Sequence, residues 1–279
     1  MPFHEHDGAS VFYTDQGSKD SPPILFLHGW SCDSHDWSFQ IPVLLKHGMR
    51  VVAMDHRGHG RSSAPRGPLA YSPYKMAADA VSLLEHLQTG PVVLVGHSMS
   101  SIVASVLTVE HSQWVKALVV VQPIYGGIPP RMPIMAGDMR ADFDRIQQMA
   151  VDFFDLVMYT PRTPDWIRVW NMRRLLGNDP EGIVGCLEGI IDLDGKVVGR
   201  EPAAMEFMRK RNENAPRLAM CALPSQPPFE EELGVVEGRD EVHLIDEGTF
   251  LMQVMPERFN KILLAWLQKR EILPAQKIS

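Results

Sequence analysis

A serine flanked by small residues stands where a strand is expected to turn into a helix. The chain runs from a short apolar segment, Pro91 to Val95 (PVVLV), into Gly96 to Ser100 (GHSMS) and then into residues with helical spacing. A serine on such a sharp turn has a strained backbone, and small neighbours let the adjacent chain approach it closely. The start of the following helix also favours negative charge that develops beside it. The pattern predicts Ser98 as a nucleophile, while a simple helix-capping serine stays open as the alternative.

Two further motifs close the preceding apolar runs. Leu27 to Trp30 (LHGW) ends the first run, and Asp55 to Ser62 (DHRGHGRS) ends the second. The second motif is not a phosphate-binding loop, because it lacks the Lys-Ser/Thr end and opens no helix. The three cysteines are too few and too scattered for a disulfide framework or a CxxC metal site. We therefore expect no nucleotide, metal or other cofactor.

The elements that must position these motifs alternate along the first half of the chain. Amphipathic, helix-like segments lie at Asp36 to His47, Tyr74 to Leu87 and Met99 to Val109. The continuous apolar runs between them are Pro23 to Leu27, Arg50 to Met54, Pro91 to Val95 and Ala117 to Val121. Such runs suit strands that are buried on both faces. The order predicts an α/β fold, a mostly parallel doubly wound sheet with helices on both faces. His4 to Gly17 is expected to add an antiparallel hairpin at one edge.

The alternation is interrupted after Pro123 and resumes near the end of the chain. Residues 125–214 are irregular and helical, with turn signals such as GGIPP and GNDPEG. Strand-like runs return at Arg217 to Leu223 and Glu241 to Asp246, and a last amphipathic helix starts near Pro256. We predict an α/β core from residues 1–124 and 215–279, with one helical insertion at 125–214.

Composition excludes several classes of protein and partner. The 279 residues are 45% hydrophobic and 22% charged, which is typical of a folded chain and not of a disordered tail. The 27 Lys and Arg against 34 Asp and Glu give a net charge of −7, which disfavours a nucleic-acid partner. No apolar run approaches the roughly 20 residues of a membrane span, and the first residues do not read as a secretory signal. We expect a cytoplasmic protein that acts on a small molecule, and the sequence leaves its oligomeric state open.

Taken together, the motifs resemble those of the α/β-hydrolase superfamily, in its esterase, haloperoxidase and epoxide-hydrolase-like branch. The HG-W, D-x-R-G-x-G-x-S and G-H-S-M motifs follow that family's order, and GTFLMQVMPERFN resembles its closing G-H-F…P-E-E-F-N segment. The resemblance implies that Ser98 is the nucleophile and that the backbone N–H groups of Trp30 and Met99 form an oxyanion hole. It also implies that residues 125–214 form a cap over the substrate pocket and that Asp55 and Arg57 hold loop structure.

The sequence departs from the family at both partners of the serine. Thr249 stands where the family has its histidine base, or else that histidine is deleted between Thr249 and Phe250. Leu223 follows the strand that should end in a carboxylate. Gln122 occupies the other position that some relatives use for the acid. Of 11 histidines, only His243 lies beyond His111. The catalytic triad is therefore predicted to be degenerate.

Several other residues are candidates for the missing roles. His243 is a candidate relocated base, although a histidine inside a strand is the simpler interpretation. His97 is expected to point away from Ser98, and Cys32 is expected to be an inert thiol. Asp33, His35 and Asp36 crowd one loop, but their spacing specifies no metal site. The residues expected near the pocket are His28, Gly29, His97, Gln122 and Thr249.

A serine without a base is a poor nucleophile, which disfavours ordinary ester hydrolysis. We predict a non-hydrolytic, cofactor-free step on a small, largely apolar carbonyl compound, by cyclisation, isomerisation, elimination or rearrangement. Relatives with altered triads run such steps on natural products, so the resemblance implies a place in secondary metabolism. The alternatives are an ester or lactone hydrolase with a relocated histidine base, and a ligand-binding pseudoenzyme. Half of the 16 methionines fall within 125–214, where a few are expected to line an apolar pocket.

Overall fold

The protein forms one eight-stranded sheet that is covered by helices. The computed structural model describes residues 2–67 and 69–273, apart from the side chains of Asn212 and Asn214. The strands are β1 Phe3–His6, β2 Ala9–Gln16, β3 Pro23–Leu27, β4 Arg50–Met54, β5 Val92–His97, β6 Val115–Val121, β7 Arg217–Cys221 and β8 Glu241–Leu244. Their order across the sheet is β1-β2-β4-β3-β5-β6-β7-β8. The β1–β2 and β2–β4 pairs are antiparallel and all others are parallel, which confirms the predicted α/β architecture and its edge hairpin.

The central strands are buried because both faces of the sheet carry helices. Every residue of β4, β5 and β7 is buried, as expected for parallel strands without a solvent-facing side. The helices that complete the fold are α1 Ile41–Lys46, α2 Pro73–Leu87, α3 Met99–Glu110, α4 Arg131–Ala141, α5 Ile146–Phe153, α6 Asp165–Gly177, α7 Pro180–Ile191, α8 Pro202–Asn214, α9 Gln226–Leu233, α10 Leu251–Val254 and α11 Pro256–Lys269. In the described part of the chain, no helix is long and apolar enough to cross a membrane.

One predicted helix is divided in the structure. The segment expected to be helical from Asp36 to His47 forms a 3₁₀ turn at Ser34–Trp37 and then α1. Pro42 explains the break, because proline fits the first turn of a new helix and disrupts the interior of an existing one. The Asp33 carboxylate caps the 3₁₀ turn by accepting a hydrogen bond from the His35 N–H at 3.0 Å.

The insertion between β6 and β7 is mostly helical, and the segment predicted as a cap is called here the cap. Helices α4 to α7 contact one another, whereas α8 lies against α3. The contact between α8 and α3 includes a hydrogen bond from Arg211 Nη1 to Ser105 Oγ at 3.2 Å. The division into a core and a cap at 125–214 stays a prediction. The amphipathic pattern of α8 does not say which partner it covers, and its contacts place it on α3.

The cap packs against the core through a close approach of the two backbones. At Gly182, in α7, a Cβ atom would lie 2.4 Å from the backbone oxygen of Gly58 in the loop after β4. Only glycine allows this approach. The cap therefore rests directly on the motif that closes the second parallel strand.

Three buried histidines, His28, His56 and His59, make the stability of the fold depend on pH. Burial lowers the pKa of His56 to about 3 and that of His59 to about 4, and it lowers the pKa of His28 well below its ordinary value. These groups stay neutral in the folded chain, while the unfolded chain takes up protons below about pH 6.5. Each such group lowers the free energy of unfolding by up to about 1.4 kcal/mol per pH unit as the pH falls from 6.5 towards its folded pKa.

We therefore expect the urea midpoint to fall between pH 7.5 and pH 5.0, with a shallower fall in His59→Gln. Equilibrium urea unfolding at the two pH values measures this. An unchanged midpoint in the wild type contradicts the assignment of these histidines as neutral.

Candidate active site

Ser98 occupies a strained turn between β5 and α3. Its backbone has φ 51° and ψ −115°, an unusual conformation for a residue with a side chain. The Ser98 N–H donates to the Val121 oxygen at 2.9 Å, and the Ser98 oxygen accepts from the Ser101 N–H at 2.8 Å. A Cβ atom at Gly96 would lie 2.1 Å from the Ser100 oxygen, so the turn requires glycine there. These features are those of a nucleophile elbow, which presents Ser98 at the carboxyl end of the sheet.

Ser100, which replaces the last glycine of the usual motif, ties neighbouring loops together. Its hydroxyl donates to the backbone oxygen of His28 and accepts from His56 Nε2 at 2.7 Å. His28 in turn donates through Nδ1 to the Gly29 oxygen at 2.8 Å and accepts through Nε2 from the His56 N–H at 2.9 Å. The serine at position 100 therefore fixes the loops that follow β3 and β4 relative to the elbow.

Two backbone N–H groups near Ser98 are the predicted donors of an oxyanion hole. Met99 is the first residue of α3, directly after Ser98, and Trp30 follows the HG pair at the end of β3. Within residues 2–67 and 69–273, neither N–H donates a hydrogen bond to the protein. The Trp30 indole N–H is held by the Ile183 oxygen of the cap at 2.8 Å, which fixes the residue in place. This arrangement fits the predicted oxyanion hole.

The serine opens into a cavity of about 570 Å³ between the core and the cap, called here the Ser98 cavity. Its lining is mostly apolar and includes Trp30, Ile124, Ile128, Met132, Met135, Phe153, Val157, Met158, Leu187, Ile190 and Phe229. Three of the methionines of the insertion are in this set, as the sequence predicts. A cavity of this size and character suits a small apolar ligand.

The predicted pocket residues divide into two groups. Gln122 and Thr249 line the Ser98 cavity. His28, Gly29 and His97 do not, and His28 and His97 are almost fully buried in the core. Both ring nitrogens of His28 are occupied by its loop contacts. His28 and Gly29 therefore support the loop that carries Trp30 without lining the cavity.

His97 is adjacent to Ser98 in sequence, but it does not line the Ser98 cavity. Its Nε2 donates to the Thr249 oxygen at 2.8 Å, and its Nδ1 lies 3.9 Å from Asp36 Oδ2. Burial lowers the pKa of His97, which keeps the ring neutral. The ring leaves no room for a side chain at Gly29, where a Cβ atom would lie 2.9 Å from His97 Nδ1. His97 therefore supports the loops around Ser98 without serving as its base.

No histidine or cysteine lines the Ser98 cavity in the described part of the chain. Thr249, at the family's histidine position, donates from Oγ1 to Met158 Sδ at 3.4 Å. Leu223 and Gln122, at the two positions for the acid, also line the cavity. Thr249 and Leu223 thus share the serine's cavity at the two positions where the family has its base and its acid, and neither of these side chains could accept the serine's proton.

His243 is too far away to replace the missing base. The strand register aligns it with Met220, Val121 and His97 across β8, β7, β6 and β5. Three strand spacings separate it by about 14 Å from His97, the neighbour of Ser98. Its imidazole instead contacts Glu241 Oε2 at 3.0 Å and is partly exposed. The candidate relocated base is a strand histidine at the sheet edge.

A buried ionic contact joins the cap to the oxyanion loop, and sequence spacing gave no sign of it. Arg174 of α6 donates from Nη1 to Asp36 Oδ1 and, at 3.2 Å, to Asp33 Oδ1. Asp36 is fully buried and Arg174 nearly so. Burial is the largest single effect on Arg174 and lowers its pKa, but Asp36, Cys32 and Asp33 together raise the pKa above its ordinary value. Burial also raises the pKa of Cys32 well above its ordinary value, which agrees with an inert thiol.

The same loop is held at a second point by the cap. Asn178 donates from Nδ2 to the Ser31 oxygen at 2.9 Å and accepts from the Gly60 N–H at 3.1 Å. Ser31 itself has a φ of 57°, a left-handed conformation that other contacts must maintain. The cap therefore holds the loop that carries Trp30.

The residues of the DHRGHGRS motif have structural partners. Asp55 accepts from the Ser34 N–H at 2.8 Å and the Arg61 N–H at 3.0 Å. Arg57 pairs with the fully buried Asp79 of α2, with two contacts of 2.6 Å. Both residues hold loops, as the sequence predicts.

A second buried ionic cluster borders the far end of the cavity, and the sequence did not predict it. The Glu230 carboxylate accepts from the Tyr125 hydroxyl and lies 3.2 Å from both Arg211 Nη2 and Arg217 Nε. All of these side chains are buried. The cluster joins α8, α9 and β7 to the start of the cap, because Arg211, Glu230, Arg217 and Tyr125 come from these four segments.

Comparisons with known proteins agree with this geometry. A family model described as the alpha/beta hydrolase fold matches residues 22–226. A non-heme chloroperoxidase of Streptomyces lividans is 38% identical over 128 residues, which cover 45% of this chain and 44% of that protein. A bifunctional esterase/perhydrolase of Acinetobacter calcoaceticus is 45% identical over 92 residues, which cover 33% of each chain. The chain thus spans less than half the length of these curated relatives.

Solved structures are similar over nearly the whole chain. The enol-lactonase of Burkholderia xenovorans LB400 superposes with a TM-score of 0.79, covering 96% of this chain and all of the other at 19% identity. At that identity the likeness concerns the fold alone. It extends over the sheet and the insertion.

Proposed function

The chain belongs to the alpha/beta hydrolase family and is an enzyme of that fold; on this premise we propose that it catalyses a non-hydrolytic, cofactor-free step on a small apolar carbonyl compound. The step is a cyclisation, isomerisation, elimination or rearrangement. One observation carries the proposal: in the described chain, the cavity that holds Ser98 is lined by no histidine.

The groups that remain are suited to polarising a carbonyl. The Trp30 and Met99 N–H groups would donate to the substrate oxygen, and the α3 N-terminus favours negative charge there. Removing one such donor typically lowers a rate by about 10²- to 10³-fold, so two fixed donors are a substantial catalytic device. Holding a flexible substrate in its reactive conformation adds to this effect.

The absence of a histidine from the Ser98 cavity, within the described chain, disfavours an acyl-enzyme mechanism. The Ser98 hydroxyl is almost fully protonated near neutral pH unless a base takes its proton. Thr249, Leu223 and Gln122 supply no such base, and His243 lies on the sheet edge. Reactions in which the proton moves within the substrate need no enzyme base, which favours intramolecular steps.

A steady-state assay with p-nitrophenyl acetate and p-nitrophenyl butyrate tests the proposal. We expect wild type and Ser98→Ala to give the same slow release of p-nitrophenol, with no burst, because Ser98 is not activated. Turnover at rates ordinary for esterases that disappears in Ser98→Ala would contradict the proposal and restore a hydrolase.

A further inference from the structure

Arg200 is the one cationic residue among those that line the Ser98 cavity in the described chain. It lies just before α8, and its side chain is 56% exposed. Its guanidinium carbon lies 4.5 Å from the centre of the Phe229 ring, and Phe229 lines the same cavity. A guanidinium that stacks on an aromatic ring keeps the N–H groups at its edge available for an acceptor in its plane. The cavity wall therefore carries an accessible positive charge.

The protein holds the counterion of Arg200 only at the surface. Within the described residues, Arg200 donates from Nη1 to Glu232, and neither Nε nor Nη2 donates a hydrogen bond. The Glu232 side chain is itself 44% exposed. Exposed ion pairs are screened by solvent and salt and contribute little to stability. An anionic ligand group can therefore share or replace this contact at small cost.

The second charged residue of the cavity lining does not neutralise Arg200. Glu230 is fully buried, and its carboxylate accepts from the Tyr125 hydroxyl and contacts Arg211 and Arg217. Its negative charge is thus offset inside its own cluster. An anion at Arg200 would not meet an unpaired carboxylate there, and a cationic ligand would find Glu230 already engaged.

Ser98 and Arg200 border the cavity at different strands of the sheet. Ser98 follows β5, whereas Phe229, on which Arg200 stacks, belongs to α9 after β7. Because β6 lies between β5 and β7, two strand spacings separate the ends of these strands by about 10 Å. The rest of the lining is mostly apolar. A ligand complementary to both ends carries a carbonyl oxygen, an apolar body and an anionic group.

We propose that Arg200 is a specificity-determining residue that binds a carboxylate of the ligand, so that the enzyme takes apolar carbonyl compounds with a carboxylate several bonds from the reacting carbonyl. The inference rests on the proposed function in that it places the ligand carbonyl in the oxyanion hole. Arginine matches a carboxylate with two parallel N–H donors, and such charge-assisted hydrogen bonds are stronger than neutral ones. A neutral analogue of the same shape loses this contact.

Calorimetric titration with three aryl keto acids and their primary amides tests this proposal. The acids are 3-benzoylpropionate, 4-benzoylbutyrate and 5-benzoylvalerate, which differ only in the number of methylene groups between the ketone and the carboxylate. Each amide keeps the shape of its acid and loses the charge. We expect at least one acid to bind about tenfold or more tightly than its amide. The chain length with the largest preference measures the reach between the two ends of the site.

Two substitutions of Arg200 assign the preference to its charge. Arg200→Met keeps an apolar stem that can pack on Phe229, and we expect it to bind each acid and its amide equally. Arg200→Lys keeps the charge without the planar pair of donors, and we expect it to retain a smaller preference. Circular dichroism and thermal unfolding verify that the variants fold. If Arg200→Met is unfolded, the titrations of Arg200→Lys and of the Glu232 variant below decide by themselves.

Two substitutions nearby separate ligand binding from a structural role. Glu232→Gln removes the competing carboxylate, so we expect it to bind the keto acids more tightly than the wild type does. A merely structural Arg200–Glu232 pair predicts no such gain. Arg209 is the matched control, because it also contacts Glu232, at the backbone oxygen and at 3.2 Å, but does not line the cavity in the described chain. We expect Arg209→Met to keep the wild-type preference.

The inference is overturned if the wild type prefers no keto acid over its amide, if the preference persists in folded Arg200→Met, if Glu232→Gln does not strengthen binding of the acids, or if Arg209→Met loses the preference as well. Binding is measured without turnover, so its outcome is separate from that of the ester assay. Ser98-dependent ester turnover overturns the proposed function alone, whereas equal binding of acids and amides overturns the role of Arg200 alone.

Discussion

Replacing Thr249 with histidine and Leu223 with aspartate is expected to raise p-nitrophenyl acetate hydrolysis by about 10²- to 10⁴-fold, the range that a positioned general base contributes. Both positions line the cavity that contains Ser98, and both match the family's base and acid positions. On the proposed function, the elbow and the backbone donors are in place and a base next to Ser98 is the missing component.

Three control variants make this result interpretable. Thr249→His alone is expected to gain less, because its imidazole has no carboxylate to orient it. Leu223→Asp alone is expected to gain nothing. Adding Ser98→Ala to the double substitution is expected to abolish the gain. A folded double variant with wild-type activity would show that the cavity prevents hydrolysis for a reason other than the missing base.

The second large effect is expected at the contact between the cap and the oxyanion loop. Arg174→Met leaves the fully buried Asp36 carboxylate without its cationic partner. Breaking a buried pair from one side typically lowers the free energy of unfolding by about 3–5 kcal/mol. Equilibrium urea unfolding measures this loss.

Another arginine of the cap provides a matched control. Arg140 pairs with Glu181 and Glu188 through a side chain that is 36% exposed. Exposed pairs contribute about 0–1 kcal/mol, so Arg140→Met is expected to change stability little. Arg174→Met combined with Asp36→Leu is expected to recover much of the loss, because a pair replaced by apolar side chains leaves no unpaired charge. Equal losses in Arg174→Met and Arg140→Met would contradict a special role for the buried contact.

The central strands were predictable because burial on both faces leaves an uninterrupted apolar run. The predicted bounds of β3 and β4 match those observed. The helix expected from Asp36 was not continuous, because Pro42 begins a new helix and periodicity alone does not register that break. The packing of α8 was not predictable, because its pattern suits either partner and only its contact with Ser105 shows that it covers α3.

The site was predictable where chemistry follows from local sequence. The elbow at Ser98 arises from a strand, a turn and small neighbours in succession, and the substituted triad position at Thr249 was visible in a known motif. The Arg174–Asp36 contact was not predictable, because its partners are 138 residues apart and neither has a local pattern.

The reactivity of Ser98 towards a fluorophosphonate tests the central claim most directly. Intact-protein mass spectrometry would follow wild type, Ser98→Ala and the Thr249→His, Leu223→Asp double variant under one reagent concentration. If the wild type has an elbow and an oxyanion hole but no base, it remains unmodified while the double variant gains one label at Ser98. Stoichiometric labelling of the wild type that is lost in Ser98→Ala would show that the serine is activated and would contradict the account.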